Sequence, residues 1–511
     1  MKRKTLYKSA FIFAISYLSF GCTKIADINV SPNNPSLEAA TPQVLIPSAV
    51  VSAAGRIGGE LNILGGIWSQ YLTQANASNQ YKYIDSYNIT RTDLNGNYNE
   101  LFSGSLADLQ LAINQSKASN KFQFLLMATV MKAYVYGVLV DLYDQVPYTE
   151  AFQGAANIQP KFNDGYTVYK GLLAEIDAAL TTNYNVPLSA GDSKTDLIFG
   201  GDGIQTVKDE MDNWRRFANT LKLKMYLRMV NAKPAEAQAG VQALLQSNAD
   251  FLTINAGPNT LVNSVRNSLY TDATNKRNPF YTYNIFALNT TTNLRASTTL
   301  VSLLKANSDP RLTPYFGTQN PTSMNQGDFN ASLTAHPEYA SATTPVQKPT
   351  DPVFFITAAE SYFLQAEAAL RFGAASNAQS LYNSGVLASF VQAGVAAGSL
   401  DPTATGSKYA FPSAGTTEQQ IEAIITQKWL SFPATCHTLE GFFEQERTGY
   451  PKTSSVYSTD AAYVPGQWVY SPSSVTSGKF PKRLVYPDSE RSRNSNTPAE
   501  VPVTTPVWWG K

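Results

Sequence analysis

Apolar residues along this chain recur mostly at three- and four-residue steps, the period of a helix with one buried face. In "ITAAESYFLQAEAALRFG", Ala359, Phe363, Ala366 and Leu370 step by four, three and four. Thr357 and Glu360 have capping-box spacing and Gly373 follows the last periodic residue, so both helix ends are marked. Glu367 and Arg371 make an i,i+4 pair in the favourable orientation. "NAQSLYNSGVLASFVQAGV" follows as a second amphipathic stretch. Together they predict a helical hairpin of about tetratricopeptide length, roughly 34 residues, with small residues where helices approach closely.

The same pattern returns along the chain. Phe124, Ala128, Met131, Val135, Val138 and Leu142 mark a long apolar helix that Pro147 cannot continue, with "GYTVYKGLLAEIDAAL" as its partner. "NWRRFANTLKLKMYLRMV" pairs with "PAEAQAGVQALLQ". "TTEQQIEAIITQKWLSF" opens on another capping-box candidate and carries Ile421, Ile425, Trp429 and Phe432 on one face. Strand-like alternation is confined to short runs such as "DLIFGG" and "RLVYP". Segments rich in Pro, Ser, Thr and Gly at 312–352, 396–416 and 451–480 read as excursions from the scaffold, not linkers. The expected fold class is mostly α: a tetratricopeptide-like helical-hairpin scaffold with long irregular loop excursions and few short strands.

The N-terminus changes the compartment. Lys2, Arg3, Lys4 and Lys8 precede an apolar run, Phe11 to Phe20, that is too short to span a bilayer, which takes about 20 residues. It suits the apolar region of a secretory signal peptide, about 7–15 residues. Gly21 places a small residue directly before Cys22, the pattern of a bacterial lipoprotein whose thiol is acylated and becomes residue one. Ordinary cleavage near Gly21, with Cys22 incidental, is the alternative. The expected organisation is a lipoprotein signal peptide at 1–21, an extended tether at 22–36 and a single α-helical domain at 37–511.

Charge and composition narrow the partners. Cleavage before Cys22 removes four basic and no acidic residues, leaving 35 Lys and Arg against 38 Asp and Glu. A near-neutral chain without basic runs argues against nucleic acid and against an electrostatic membrane surface. With 28 Tyr and 25 Phe but only 15% charged residues, the surface suits uncharged, hydroxyl-rich ligands. The second cysteine, Cys436, has no disulfide partner if Cys22 is acylated, and reads as a small buried apolar residue.

Catalytic patterns are sparse. There are two histidines, His336 and His437, and adjacent residues such as Cys436 and His437 seldom aim their side chains at one another for proton transfer. The sequence has no HExxH or CxxC spacing for zinc, and "GGDG" at 200–203 lacks the Lys-Ser/Thr of a phosphate loop and reads as a turn. Glu360 and Glu367 lie two turns apart on one helix, about 10 Å along its axis. With Arg371 beside Glu367 they read as structural and not as a glycosidase pair. Glu444-Gln445-Glu446-Arg447 reads as a solvated or packing face. No catalytic residue, metal ligand or cofactor is expected.

The chain resembles the SusD/RagB family of outer-membrane nutrient-binding lipoproteins of Bacteroidetes-type bacteria. The resemblance rests on "DINVSPNNP", "GGIWSQYL", "LYDQVPYTEAF", "DLIFGGD", "WRRFANTLKLKMYLRM", "SDPRL", "AAESYFLQAEAALRFG", "IITQKWL", "ERTGYP", "RLVYPDSE" and "VWW", in the family's order. The sequence departs from it at Glu446, where the family's pattern has a second Arg, and in lacking an acidic run after Cys22. The resemblance implies about four tetratricopeptide-like hairpins, with the ligand site on irregular loops. It also implies a lid seated on a SusC-like TonB-dependent outer-membrane transporter, capturing an oligosaccharide, or a peptide in some members. Outer-membrane anchoring through Cys22, facing the cell exterior, goes with it. A surface glycan hydrolase and a purely structural scaffold are the rival readings.

Sugar rings lie flat on aromatic faces, while amides and Arg address their hydroxyls. Two stretches combine these groups. "NQYKYIDSYN" alternates Tyr81 and Tyr83 along an extended segment beside Asn79, Gln80 and Asp85. "RNPFYTYNIF" does the same with Tyr281 and Tyr283 beside Arg277 and Asn278, and Arg295 follows. The candidate ligand residues are therefore Asn79, Tyr81, Tyr83, Asn278, Tyr281, Tyr283 and Arg295. Against this stands the plainer reading, loop aromatics packed on the scaffold. Trp68 and Trp429 lie on helix faces and are expected in the core, and Trp508-Trp509 to anchor the C-terminus.

Overall fold

A computed structural model describes residues 40–200, 207–253 and 264–510. The expected signal peptide, Cys22, the expected tether and most of "GGDG" lie outside the described residues.

The scaffold helices are α1 (Pro42–Ile57), α2 (Glu60–Trp68), α3 (Ala107–Ala118), α4 (Phe122–Tyr143), α5 (Gly165–Leu180) and α6 (Val207–Arg228). They continue as α7 (Pro234–Gln246), α8 (Thr298–Asn307), α9 (Ala358–Phe372), α10 (Ala378–Gln392), α11 (Thr417–Leu430) and α12 (Leu439–Thr448). The hairpins expected from periodicity form: α4 packs on α5, α6 on α7, and α9 on α10. Gly385 of α10 lets that last pair close, because a Cβ there would lie 2.7 Å from the Phe363 ring. Gly65 does the same for α2 and α12, with a Cβ falling 2.4 Å from the Leu439 backbone nitrogen.

Helix ends follow local chemistry. The Thr416 hydroxyl accepts from Gln419 N–H and the Gln419 side chain accepts from Thr416 N–H, a complete capping box on α11. The Thr357 hydroxyl caps α9 by accepting from Glu360 N–H at 3.0 Å, but the Glu360 carboxylate turns inward instead of closing the box. Helix α4 is apolar and long enough to cross a bilayer by composition, yet it is buried almost all round in the core. Trp68, Trp429 and Trp509 are buried, and Trp509 Nε1 donates to Asp141 at 2.7 Å, pinning the C-terminus to α4.

Strands among the described residues form three antiparallel pairs: β1 (Leu72–Gln74) with β5 (Leu294–Ala296), β2 (Gln145–Pro147) with β3 (Phe162–Asp164), and β4 (Val265–Asn267) with β6 (Val353–Ile356). Neither "DLIFG" nor "RLVYP" joins a sheet. In the second, main-chain groups bond singly to a helix end and a neighbouring loop, as when Leu484 N–H donates to Leu142 O at 2.7 Å. Alternation there reflects one wall buried against the scaffold, not a ladder.

Candidate functional site

An antiparallel ribbon brings the two tyrosine-bearing loops together. β1 pairs with β5 so that Thr73 faces Arg295 and Gln74 faces Leu294. The chain leaving β1 and the chain entering β5 therefore share one end. There Ala75 N–H donates to Asn293 O at 2.8 Å, and the Ser78 hydroxyl donates to Asn293 Oδ1 at 2.5 Å.

A buried carboxylate ties two further excursions to that end. Asp85 is fully buried, and its Oδ2 accepts from Thr73 Oγ1 at 2.7 Å and Gln74 N–H at 2.8 Å. Its Oδ1 accepts from Gln326 Nε2 at 2.8 Å, which draws in the 312–352 excursion. Tyr457 donates to Gln326 O at 2.7 Å and Ser458 to Asn325 Oδ1 at 2.8 Å, which seats the 451–480 excursion on the same knot. Burial pushes the Asp85 carboxyl up to about 6 despite these donors. Around the knot, Asn79, Gln80, Thr291, Thr292 and Asn330 are exposed, a rim of amides and hydroxyls at whose edge Lys82 Nζ donates to Asn330 Oδ1 at 3.4 Å.

The tyrosines fall into different roles. Their segments are not extended: Lys82–Asp85 is one helical turn, and Pro279–Tyr281 continues as a π-helical turn, Thr282–Phe286. The Asn278 side chain starts the latter, accepting from Tyr281 N–H at 3.0 Å with Pro279 at the first helical position. Asn278 is thereby a buried cap that also donates to Asp351 O at 2.8 Å, not a surface amide. Tyr81 is buried in the core. Tyr83, Tyr281 and Tyr283 are half-buried. Tyr83 and Tyr283 both face Glu60 at the α1–α2 turn; burial raises both phenols and the Glu60 carboxylate adds to it. Tyr283 OH accepts from Arg56 Nη1 at 2.6 Å, and Asn97 donates to Glu60 at 2.8 Å. Two rings, a guanidinium and a carboxylate thus meet at the α1–α2 turn.

Arg295 is buried beneath the ribbon rather than displayed on the rim. Its Nη1 donates to Ala342 O and its Nε has no acceptor. Asn293, which the sequence reading did not single out, is buried with its Nδ2 unpartnered. The run "NTTTN", uncharged and hydrogen-bonding throughout before an apolar strand, is the signal that could have drawn attention to it.

A second polar cluster lies inside the helical scaffold. Lys224 Nζ sits 2.9 Å from Glu360 and 2.6 Å from Glu440; Arg228 pairs with Asp141, Glu440 and Glu444. Arg447 pairs with Glu367 and Glu444, and Lys428 lies 3.3 Å from Glu444. The Glu444–Arg447 stretch is thus a buried packing face and not a solvated one. Glu360, His437 and Glu440 bring ligand atoms within 4.8 Å of one another, a spacing that could hold a metal. The Lys224 ammonium already occupies the cation's place between the two carboxylates. Cys436 and His437 diverge: the thiol lies 3.6 Å from Asn278 Nδ2, while His437 Nε2 lies 3.0 Å from Glu360. Burial pushes the thiol up to about 12, which disfavours the thiolate form.

A cavity of about 490 Å³ is walled by Phe280, Tyr315, Phe354 and Pro433, with Cys436 in its lining. Its walls are mainly apolar, whereas the ribbon end concentrates amides and hydroxyls.

Comparison with known proteins agrees with this architecture. A family model described as SusD-like, starch-binding associating with outer membrane, matches residues 32–487. A chitin-binding SusD homologue from Flavobacterium johnsoniae is 22% identical, with a TM-score of 0.73 over 91% of this chain and 98% of that one. A SusD homologue from Bacteroides uniformis is 21% identical, with a TM-score of 0.72 over 91% and 99%. A SusD-like protein from Bacteroides thetaiotaomicron, also 21% identical, has a TM-score of 0.68 over 91% and 98%. No curated protein matches the chain.

Proposed function

The chain belongs to the SusD-like family, and from that premise we propose that it is an outer-membrane binding protein that captures an oligosaccharide. It is tethered by a lipid on Cys22, faces the cell exterior and hands its ligand to a SusC-type TonB-dependent transporter as a lid. The single observation that carries the ligand reading is the β1–β5 ribbon end. Residues 75–86, 291–293 and 325–330 converge there in a rim of Asn, Gln and Thr, and Tyr83 and Tyr283 both face Glu60 at the α1–α2 turn. Half-buried rings offer faces for sugar C–H groups, and the rim offers donors and acceptors to hydroxyls. The Asp85 knot holds the loops in place before a ligand arrives, which lowers the ordering cost of binding.

The rival reading, a surface glycan hydrolase, needs two carboxylates free to exchange protons across a cleft. Glu360 and Glu367 are instead committed to Lys224, His437, Arg371 and Arg447, which favours binding over turnover. A glycan array probed with the soluble chain identifies the ligand, and steady release of new reducing ends would favour the hydrolase. Replacing Tyr83 and Tyr283 together by Ala removes two rings, each worth on the order of 1 kcal/mol. Affinity is expected to fall about ten-fold or more; unchanged affinity would move the site away from the ribbon end. Separately, Cys22→Ala is expected to leave the membrane fraction, and persistence there in cells lacking the transporter would remove Cys22 as the anchor.

A further inference from the structure

Five arginines are buried among the described residues: Arg228, Arg295, Arg311, Arg447 and Arg483. Four have carboxylate partners: Arg228 with Asp141, Glu440 and Glu444, Arg311 with Asp309, Arg447 with Glu367 and Glu444, and Arg483 with Asp144. Arg295 differs. It is 9% exposed, and among the described residues no carboxylate pairs with it. No neighbouring charge offsets its burial. The nearby Asp85 is already committed to Thr73, Gln74 and Gln326. A guanidinium taken out of water without a counter-ion is costly, and the molecule avoids that cost at the other four positions.

Asn293 precedes Arg295 by two residues, so both side chains lie on the same face of the ribbon. The Asn293 amide nitrogen is also without an acceptor, and its residue is 4% exposed. Two adjacent buried groups therefore present donors only: a planar guanidinium and an amide. Arg295 lies in β5 and Asn293 directly precedes that strand, beside the exposed Thr291 and Thr292.

We infer that Arg295 and Asn293 form a subsite for a carboxylate carried by the ligand, so that the captured glycan contains uronic acid residues. The inference rests on the glycan-binding reading above and names the class of glycan. A hydroxyl or an acetamido carbonyl would accept a hydrogen bond here but leave the guanidinium charge uncompensated. A carboxylate supplies both the charge and a geometry that matches two parallel N–H donors. Elsewhere the rim meets the remaining sugar hydroxyls with amides and side-chain hydroxyls, and Lys82, which donates to Asn330, adds a second positive charge at its edge.

The test compares acid and ester on the same sugar backbone. The soluble chain is titrated calorimetrically with a panel of oligogalacturonates, oligoglucuronates and oligomannuronates, and with the methyl ester of each. At least one acid is expected to bind ten-fold or more tightly than its ester, with affinity falling as salt rises. Arg295→Gln is expected to bring that acid down to the level of the ester. Arg295→Lys, which keeps a charge but loses the planar fork, is expected to fall between. The wild-type comparison needs no variant and so stands even if Arg295→Gln fails to fold. Equal binding of acid and ester overturns the inference. So does exclusive binding of neutral glycans on the array, which leaves the glycan-binding function intact. Only a failure to bind every glycan class removes that function as well.

Discussion

Two buried polar regions of this molecule treat their central carboxylates in opposite ways, although Asp141 and Glu446 at the margin of the first are raised by burial. In the helical scaffold, Glu367, Glu440 and Glu444 lie among Lys224, Arg228, Lys428 and Arg447, and these cations hold them at about 2, below the usual carboxylate range. Glu360 is depressed further by Lys224 and His437. Under the loop face, Asp85 meets a hydroxyl, a side-chain amide and a main-chain amide, all neutral, and burial wins. One region is cemented by full charges supplied from helices distant in sequence; the other is a hydrogen-bonded knot that needs no cation. The helices can be rigid because opposite charges fix their register. The loops are held by neutral hydrogen bonds, each weaker than a buried ion pair.

The sharpest way to break the comparison is to remove one cation from the scaffold. Arg447→Ala leaves Glu367 and Glu444 buried without the guanidinium that bonds both at its two ends. Breaking a buried pair by removing one partner costs about 3–5 kcal/mol. The variant is expected to lose that much in chemical unfolding at pH 7, with a large fall in Tm. A loss below about 1 kcal/mol would mean that Lys428 and Arg371 carry the load and that the network is redundant.

Acidity separates the two regions by sign. A folded-state carboxylate near 2 against about 4.5 in the unfolded chain favours folding above pH 4.5, and that stability is lost as pH falls through 2. Asp85 runs the other way. With a folded value near 6 against about 3.8 unfolded, its contribution is complete below pH 3.8 and is lost as pH rises through 6. Amide exchange, corrected for its intrinsic pH dependence, reads this locally at Gln74 and at Gly327, whose N–H donates to Thr73 Oγ1 at 3.1 Å. Their opening free energy is expected to fall by on the order of 2–3 kcal/mol between pH 4 and pH 7, while the amides of α12 gain protection as pH rises from 2 to 5. Asp85→Asn is expected to flatten the first slope and leave the second. Parallel slopes in both regions would erase the distinction.

The contrast also explains what the sequence could reveal. Helices, their pairing and their caps are local properties, so Thr357, Thr416 and the apolar steps of α4 and α9 were legible. Glu367 and Arg371 were legible as an i,i+4 pair, and their 2.7 Å contact exists. Invisible was the third member, Arg447, eighty residues away. Lys224 and Arg228 lie on a helix that the sequence predicts, but their burial comes from tertiary packing that no local pattern shows. The loop face was legible only in its composition. Alternating tyrosines suggested extended chain, but Lys82–Asp85 and Pro279–Tyr281 are helical turns, and Tyr81 and Asn278 are buried. Asp85 was noted only as a neighbour of the tyrosines, because its partners Gln326 and Thr73 meet it only in the folded chain.

The smallest predicted effect lies outside both regions and calibrates them. The capping box of α11 is exposed: the Thr416 and Gln419 side chains satisfy each other's main-chain amides at 3.3 and 2.8 Å. Thr416→Ala removes one acceptor at a helix start, where the N–H groups have no intrahelical partner. The cost is about 1 kcal/mol, carried by neutral groups. Helix α11 also bears Lys428, which lies between Glu360, Glu440 and Glu444. Fraying at its first turn, three turns from Lys428, is therefore expected to lower Tm slightly without altering the acid limb of the stability profile. If Thr416→Ala instead shifted the pH at which the protein loses stability, the start of α11 and the ion network would be one cooperative unit. The division into a charged scaffold and a neutral loop face would then have to be redrawn to include the cap.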